Sequence, residues 1–317
     1  MIFWEGKKVL VTGGSGFLGH HIVHHLQDLG ARVTVTESRT TDLTKIDEAL
    51  DAIRKSEPEF IFHAAADVGG IGYNRAVPAD IFRNNTLMAV NILEAARICP
   101  VKKLVLIGSA CAYPGHVDGL MSEDRFLEGP MHESVEVYGF SKRALYLGGK
   151  AYRKQYGVNS IFLLLTNLYG PFDKYGPEES HVVAALVRKF ANAKRVGLPS
   201  LTCWGSGKPT REFMYAEDCA QAIVRAGEVY ESSEPLNIGT GIGTTIEELA
   251  TALAKLTGYK GKVLWDHSMP DGAMHKVLDV SKMEKTLGNL PITPLRDGLK
   301  KTLDWYSSRP EFLITKG

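Results

Sequence analysis

Short apolar runs alternate with helical patterns through the first half of the chain. Lys8-Val-Leu-Val-Thr12 is an apolar run that stops at Gly13-Gly-Ser-Gly-Phe-Leu-Gly19. Phe17, Leu18, Ile22, Val23, Leu26 and Leu29 then recur at helical spacing as far as Gly30, and Arg32 to Thr36 reads as the next strand. The alternation continues with a helix over Ile46 to Lys55, a strand over Phe60 to His63 and a long helix over Pro78 to Ile98. A strand over Lys103 to Ile107, a helix over Val137 to Tyr156 and a strand over Ser160 to Leu165 follow. This order predicts an α/β protein, a Rossmann-type doubly wound parallel sheet covered on both faces.

The pattern loosens after Gly170. Tyr169-Gly-Pro-Phe-Asp-Lys-Tyr-Gly-Pro177 is loop chemistry, followed by helices near His181 to Ala193, Ala216 to Val229 and Thr245 to Leu256, with short strands between. Leu236 to Ile238 reads as a late strand returning to the sheet. The expected organisation is a dinucleotide-binding domain over 1–170 and a smaller, mixed α/β substrate-binding portion over 171–317.

Composition narrows the partners. The chain has 317 residues, 44% hydrophobic and 23% charged, with a net charge of +1. Without a basic excess, nucleic acid is not expected as a partner. No apolar run reaches the roughly 18 to 20 residues of a membrane span, so no membrane association is expected. Met1 to Lys8 is too short and mixed for a secretory signal. Cys99, Cys111, Cys203 and Cys219 lack metal-ligand spacing, which predicts a reducing, cytoplasmic setting and no metal.

The chemistry gathers at strand ends, where ligands of such sheets sit. Gly13 and Gly16 allow a tight turn and close approach to a pyrophosphate, Gly19 allows close helix packing, and free N–H groups at the helix start attract the phosphates. Tyr138 and Lys142 lie four apart, on one helix face, where the ammonium can stabilise a phenolate. Ser109 and Cys111 leave the Lys103 to Ile107 strand, and Asn167 leaves the Ser160 to Leu165 strand. His181 begins a helix, while Trp204 and Arg211 offer an aromatic face and a guanidinium suited to a base and a diphosphate. Each has an ordinary use as well: capping serine, buried thiol, turn asparagine, packed Trp, surface Arg. Their recurrence at successive strand ends is what the ordinary uses explain poorly.

Taken together, these motifs resemble the extended short-chain dehydrogenase/reductase family of nucleotide-sugar enzymes, over nearly the whole chain. The general marks are the glycine loop, Asp42-Leu-Thr44, His63-Ala-Ala-Ala66, Asn85 to Asn91 and the Tyr138/Lys142 pair. Narrower marks are Val68-Gly-Gly-Ile71, Gly108-Ser-Ala-Cys-Ala-Tyr-Pro114, Asn167-Leu-Tyr-Gly-Pro171, Ser180-His-Val182, Trp204-Gly-Ser-Gly207, Arg211-Glu-Phe213 and Pro270-Asp-Gly272 followed by Lys276. These are similar to the GDP-L-fucose synthases.

The resemblance implies 3,5-epimerisation and 4-keto reduction of a GDP-4-keto-6-deoxy sugar. It implies Cys111 as base, His181 as acid, Ser109 and Tyr138 as donors to O4, and Lys142 binding the ribose and holding down the Tyr138 pKa. Gly13, Gly16, Phe17, Leu18, Gly19, Glu37, Arg39, Ala64, Lys142 and Asn167 match cofactor-binding positions. Asn167, Lys189, Trp204, Arg211 and Lys276 match substrate-binding ones. The implied cofactor is NADP(H), with Arg39 for the 2′-phosphate. Glu37 stands where an acid binds the ribose of NAD(H) and keeps that cofactor open. A homodimer is also implied. The sequence departs from the family at His132-Glu-Ser-Val-Glu-Val137, at Lys189 where Arg is common, and at His275 where Arg or Lys is expected. Two other readings use the same residues: a 4-reductase or C4-epimerase on another nucleotide sugar, with Cys111 only packing, and a non-catalytic dinucleotide-binding protein.

Overall fold

In the computed structural model, which describes residues 2–176 and 179–312, the apolar runs become strands buried on both faces. β1 (Lys8–Thr12), β2 (Arg32–Thr36), β3 (Phe60–His63), β4 (Lys103–Ile107) and β5 (Ser160–Leu165) form a parallel sheet in the order β2-β1-β3-β4-β5. Alternation along each strand sorts the side chains. Leu10, Ile61, Leu104, Leu106, Phe162 and Leu164 share a core with helices α2 (Ile46–Ser56), α4 (Pro78–Ile98) and α5 (Glu136–Tyr156). Val9, Val11, Phe62, Val105, Ile161 and Leu163 pack on the other face, against α1 (Phe17–Asp28) and the later α7 (Ala216–Val229). The connections turn back between β1 and β3, the switch point at which such sheets open a crevice.

The short helix α3 (Ile71–Ala76) follows β3 and was not expected from the pattern. After β5 the chain enters a second sheet at once: β6 (Asn167–Tyr169) pairs with β8 (Thr210–Tyr215). Between them come α6 (Val182–Val196) and β7 (Ser200–Trp204). The chain then returns through α7 to β9 (Pro235–Ile238), which extends the first sheet beside β5, the late strand that the sequence suggested. The two sheets therefore share the chain in alternation, without a single cut at residue 170.

β8 is flanked by β10 (Gly243–Thr245), antiparallel, and β12 (His275–Lys276), parallel, while β11 (Lys262–Asp266) pairs with β7. Helices α8 (Ile246–Thr257) and α10 (Leu295–Ser307) pack with α6 around Phe190, Tyr215, Leu253 and Tyr306. α9 (Ser281–Leu287) lies on the first sheet's side through Met283 and Leu287. No helix among the described residues is long and apolar enough to cross a membrane.

Candidate active site

The crevice begins at the glycine turn. Gly13 has φ +67°, and a Cβ there would lie 2.8 Å from the Cα of Ala65, so the turn after β1 closes on the end of β3 with no room for a side chain. Gly16 occupies the N-cap of α1 without a side-chain cap, which leaves first-turn N–H groups for an anion. Leu18 anchors the turn in the core and the Phe17 ring lies 5.9 Å from that of His21. Ala64 N–H donates to Thr12 O at 3.2 Å. His63 shares a 2.9 Å hydrogen bond with Thr12 Oγ1, and burial, helped by the Lys142 charge, lowers its pKa to about 3, so the imidazole is neutral. This cradle fits a dinucleotide. Glu37 and Arg39 both lie exposed beyond β2.

The reactive groups stand over β4. Ser109 caps a 3₁₀ turn over Ala110–Ala112, its Oγ accepting from Cys111 N at 3.1 Å and keeping its own proton to donate. α5 is pressed against this turn, since a Cβ on Gly139 would come within 2.6 Å of Cys111 O. Tyr138 and Lys142 are thereby buried beside Cys111, with Lys142 Nζ 5.7 Å from the Tyr138 ring and donating to Ile107 O at 2.9 Å. Burial lowers the Lys142 pKa to about 8.

One expectation is corrected here. The Tyr138 pKa is pushed up, by burial first and by the Cys111 sulfur second, and no lowering by Lys142 offsets it. Taking a phenolate out of water is the larger effect, and burial disfavours its charged form. Tyr138 is thus a phenol at neutral pH, the form that gives up a proton.

β8 and β12 carry the cations. Arg211 and Lys276 face each other across the pair, and both are buried enough that desolvation lowers their pKa values, while the Cys111 sulfur opposes that for each. His132 lies in the same field: burial and then Lys276 lower its pKa. Arg211 Nη2 donates to Asp271 O at 3.2 Å, and the Asp271 carboxylate accepts from Ser206 N at 2.7 Å and Ser206 Oγ at 2.8 Å. Two neighbouring motifs, 204–207 and 211–213, thus meet a distant third, 270–272, at Asp271. Asn167 donates to Glu212 O at 3.0 Å, and Lys189 donates to Thr202 O at 2.8 Å with its ammonium 5.7 Å from the Trp204 ring. That ring is 54% exposed, a free stacking face.

His181 is the N-cap of α6. Its loop reaches the rest of the site through Gly70, whose N–H donates to Glu179 O at 3.2 Å and where a Cβ would lie 2.6 Å from Ser180 O. Ile71 next to it approaches Gly272 beside Arg211. Among the described residues no hydrogen bond joins His181 to Ser109, Cys111 or Tyr138. The sequence reading assigned no role to Asp173, Glu212 or Asp271. Glu212 is fully buried, with Oε2 accepting from Leu278 N at 2.7 Å and Oε1 from Gly241 N at 3.1 Å, and it ties β8 to the ends of β9 and β12. Only its place inside Arg211-Glu-Phe213 signalled it.

A parallel sheet opening at β1/β3, a glycine cradle and a Ser-Tyr-Lys set with its Tyr and Lys buried define a nicotinamide-dependent oxidoreductase fold, and the chain belongs to the NAD dependent epimerase/dehydratase family, whose profile matches residues 9–239. Over 308 residues it is 39% identical to the GDP-L-fucose synthase of Sinorhizobium fredii, covering 97% of this chain and 98% of that protein. The fold superposes with TM-score 0.90 on a GDP-6-OMe-4-keto-L-xylo-heptose reductase from C. jejuni, at 27% identity over 96% of this chain and 98% of that one. It superposes with TM-score 0.89 on a GDP-L-fucose synthetase from Naegleria fowleri bound to NADP, at 26% identity over 99% and 98%.

Proposed function

We propose that the protein converts a GDP-4-keto-6-deoxy sugar, GDP-4-keto-6-deoxy-D-mannose or a close relative, by 3,5-epimerisation followed by 4-keto reduction, as in GDP-L-fucose synthesis. The observation that carries this reading is Cys111, held by Gly139 against Tyr138 and surrounded by Arg211 and Lys276. A reductase needs no thiol there. An epimerase needs a group that can exchange a proton with the sugar carbon, and a cysteine thiol beside the Ser109 and Tyr138 hydroxyls is such a group.

The 4-keto group acidifies the hydrogens at C3 and C5. Cys111 removes a proton and His181 returns one to the opposite face. The enolate oxygen at O4 receives hydrogen bonds from the Ser109 and Tyr138 hydroxyls. A reduced nicotinamide, when bound on the glycine cradle, supplies hydride to C4. Tyr138 then gives its proton to O4, and burial has kept that proton in place until this step. Lys142, with two ammonium protons beyond its bond to Ile107 O, holds the ribose and compensates the phenolate left behind. Trp204, Lys189, Arg211 and Lys276 receive the GDP portion, and Asn167 the sugar or cofactor.

The reading takes NADP(H) as cofactor. Arg39, exposed two residues beyond Glu37, is available to a 2′-phosphate, and the Naegleria fowleri relative binds NADP. It also takes the protein as a cytoplasmic homodimer docked through α4 and α5. Supporting that interface, Phe82, Val90, Phe140 and Leu147 are exposed on these helices, with the Phe82 and Phe140 rings 6.2 Å apart.

Product analysis in deuterated water, with NADPH and NADH in parallel, tests the whole reading. Deuterium at C3 and C5 of a reduced product is expected. Reduction without that label would establish the second reading, a 4-reductase alone, which the likeness to the heptose reductase favours.

A further inference from the structure

Resting on the reading of His181 as the epimerisation acid, we infer that Asp173 is its positioning residue: the carboxylate holds a proton on His181 Nδ1 so that the proton exchanged with the sugar is the one on Nε2. Asp173 lies in the loop between β6 and α6, and its side chain is 2% exposed. Oδ1 accepts from the Lys174 N–H at 2.7 Å and lies 3.7 Å from His181 Nδ1, an ion-pair separation just beyond hydrogen-bond length that a small turn of the imidazole would close. Among the described residues Oδ2 is buried with no hydrogen-bond partner. A carboxylate taken out of water needs a cation or donors, and an orphaned oxygen in such a place calls for a cause. Among the described residues His181 is the one basic side chain within 4 Å of the carboxylate, which it approaches at Oδ1.

The loop is built to hold this carboxylate inward. Phe172, just before it, has φ +69°, a left-handed conformation that a bulky residue adopts only under constraint. The constraint is visible. The Phe172 ring lies 3.7 Å from that of His20 and 5.2 Å from that of Trp305, Pro171 O shares a 3.1 Å hydrogen bond with His21 Nε2, and Tyr175 OH donates to Gly170 O at 3.1 Å. The left-handed turn swings Asp173 under the start of α6. His181 is 40% exposed, so the imidazole meets the carboxylate with one edge and keeps the other accessible. In the acid role the balance is simple. The imidazolium carries protons on both nitrogens; Nε2–H is transferred to the substrate carbon, Nδ1–H stays on the carboxylate side, and a neutral imidazole remains.

The test compares Asp173→Asn, His181→Asn and the double variant, by solvent-deuterium incorporation into GDP-4-keto-6-deoxymannose without cofactor and by NADPH oxidation with the already epimerised keto sugar. The expected result is a loss of incorporation on the order of 100-fold in each single variant, no further loss in the double variant, and, for Asp173→Asn, reduction of the epimerised sugar close to wild type. Imidazole ¹⁵N shifts of His181 should move from the Nδ1–H pattern in the Asp173→Asn protein. Incorporation that survives Asp173→Asn while His181→Asn abolishes it overturns the pairing. So does an equal loss of reduction, which would mark a structural role. Epimerised product that still forms in His181→Asn overturns the acid assignment itself, and the pairing with it.

Discussion

Lys142 makes the sharpest test of the site's electrostatics. It is buried, donates a hydrogen bond to Ile107 O, and its pKa falls from 10.5 to about 8 because burial penalises the ammonium. A lysine whose folded pKa lies below its unfolded value leaves the unfolded chain holding more protons between those two pH values. Stability should therefore rise with pH through that window. At about 1.4 kcal/mol per pH unit, the charged lysine costs the fold about 3 kcal/mol at neutral pH. Lys142→Met removes the charge while keeping the chain's shape, and the lost hydrogen bond costs about 1 kcal/mol at every pH. Urea unfolding of both proteins from about pH 7 to about pH 9.5 should show wild type gaining about 2 kcal/mol relative to the variant, while titrations common to both cancel. The variant should also lose turnover on the order of 100-fold. A stability difference that stays flat, or that falls with pH, would refute a buried, pKa-lowered ammonium at the centre of this site.

Three further outcomes are expected. His63 has a folded pKa of about 3, below its unfolded value of 6.5, so stability attributable to it is lost as pH falls below 6.5; wild type minus His63→Asn should decline by about 3 kcal/mol by about pH 4, and a pH-independent difference in urea midpoints would contradict this. Glu212→Gln turns an acceptor at Leu278 N into a donor facing a donor, which should cost about 2 to 3 kcal/mol by calorimetry or urea; unchanged stability would mean the carboxylate is not the tie it resembles. Asp271→Ala frees Arg211 and the 204–207 loop, so KM for the nucleotide sugar should rise on the order of 10-fold with NADPH affinity unchanged, and steady-state kinetics showing the reverse split would remove this residue from the substrate side.

The sequence by itself determined the parallel sheet, because strands buried on both faces must read as continuous apolar runs. β3, β4 and β5 begin and end where those runs do. It also determined the glycine cradle and the Tyr138/Lys142 pair, since both depend on spacing within one turn or one helix. Elements too short to show a period, such as α3 with six residues and β12 with two, left no pattern to read. Only the tertiary structure decided the electrostatics. Tyr138 is pushed up because α5 is buried against the Cys111 turn, and spacing says nothing of burial. Lys276 stands opposite Arg211 because β12 pairs with β8 across more than sixty residues of chain. Asp173 meets His181 because a left-handed Phe172, wedged on His20, turns the loop inward. These are long-range contacts between irregular segments, and the cost of burying a charge is set by what surrounds it in space.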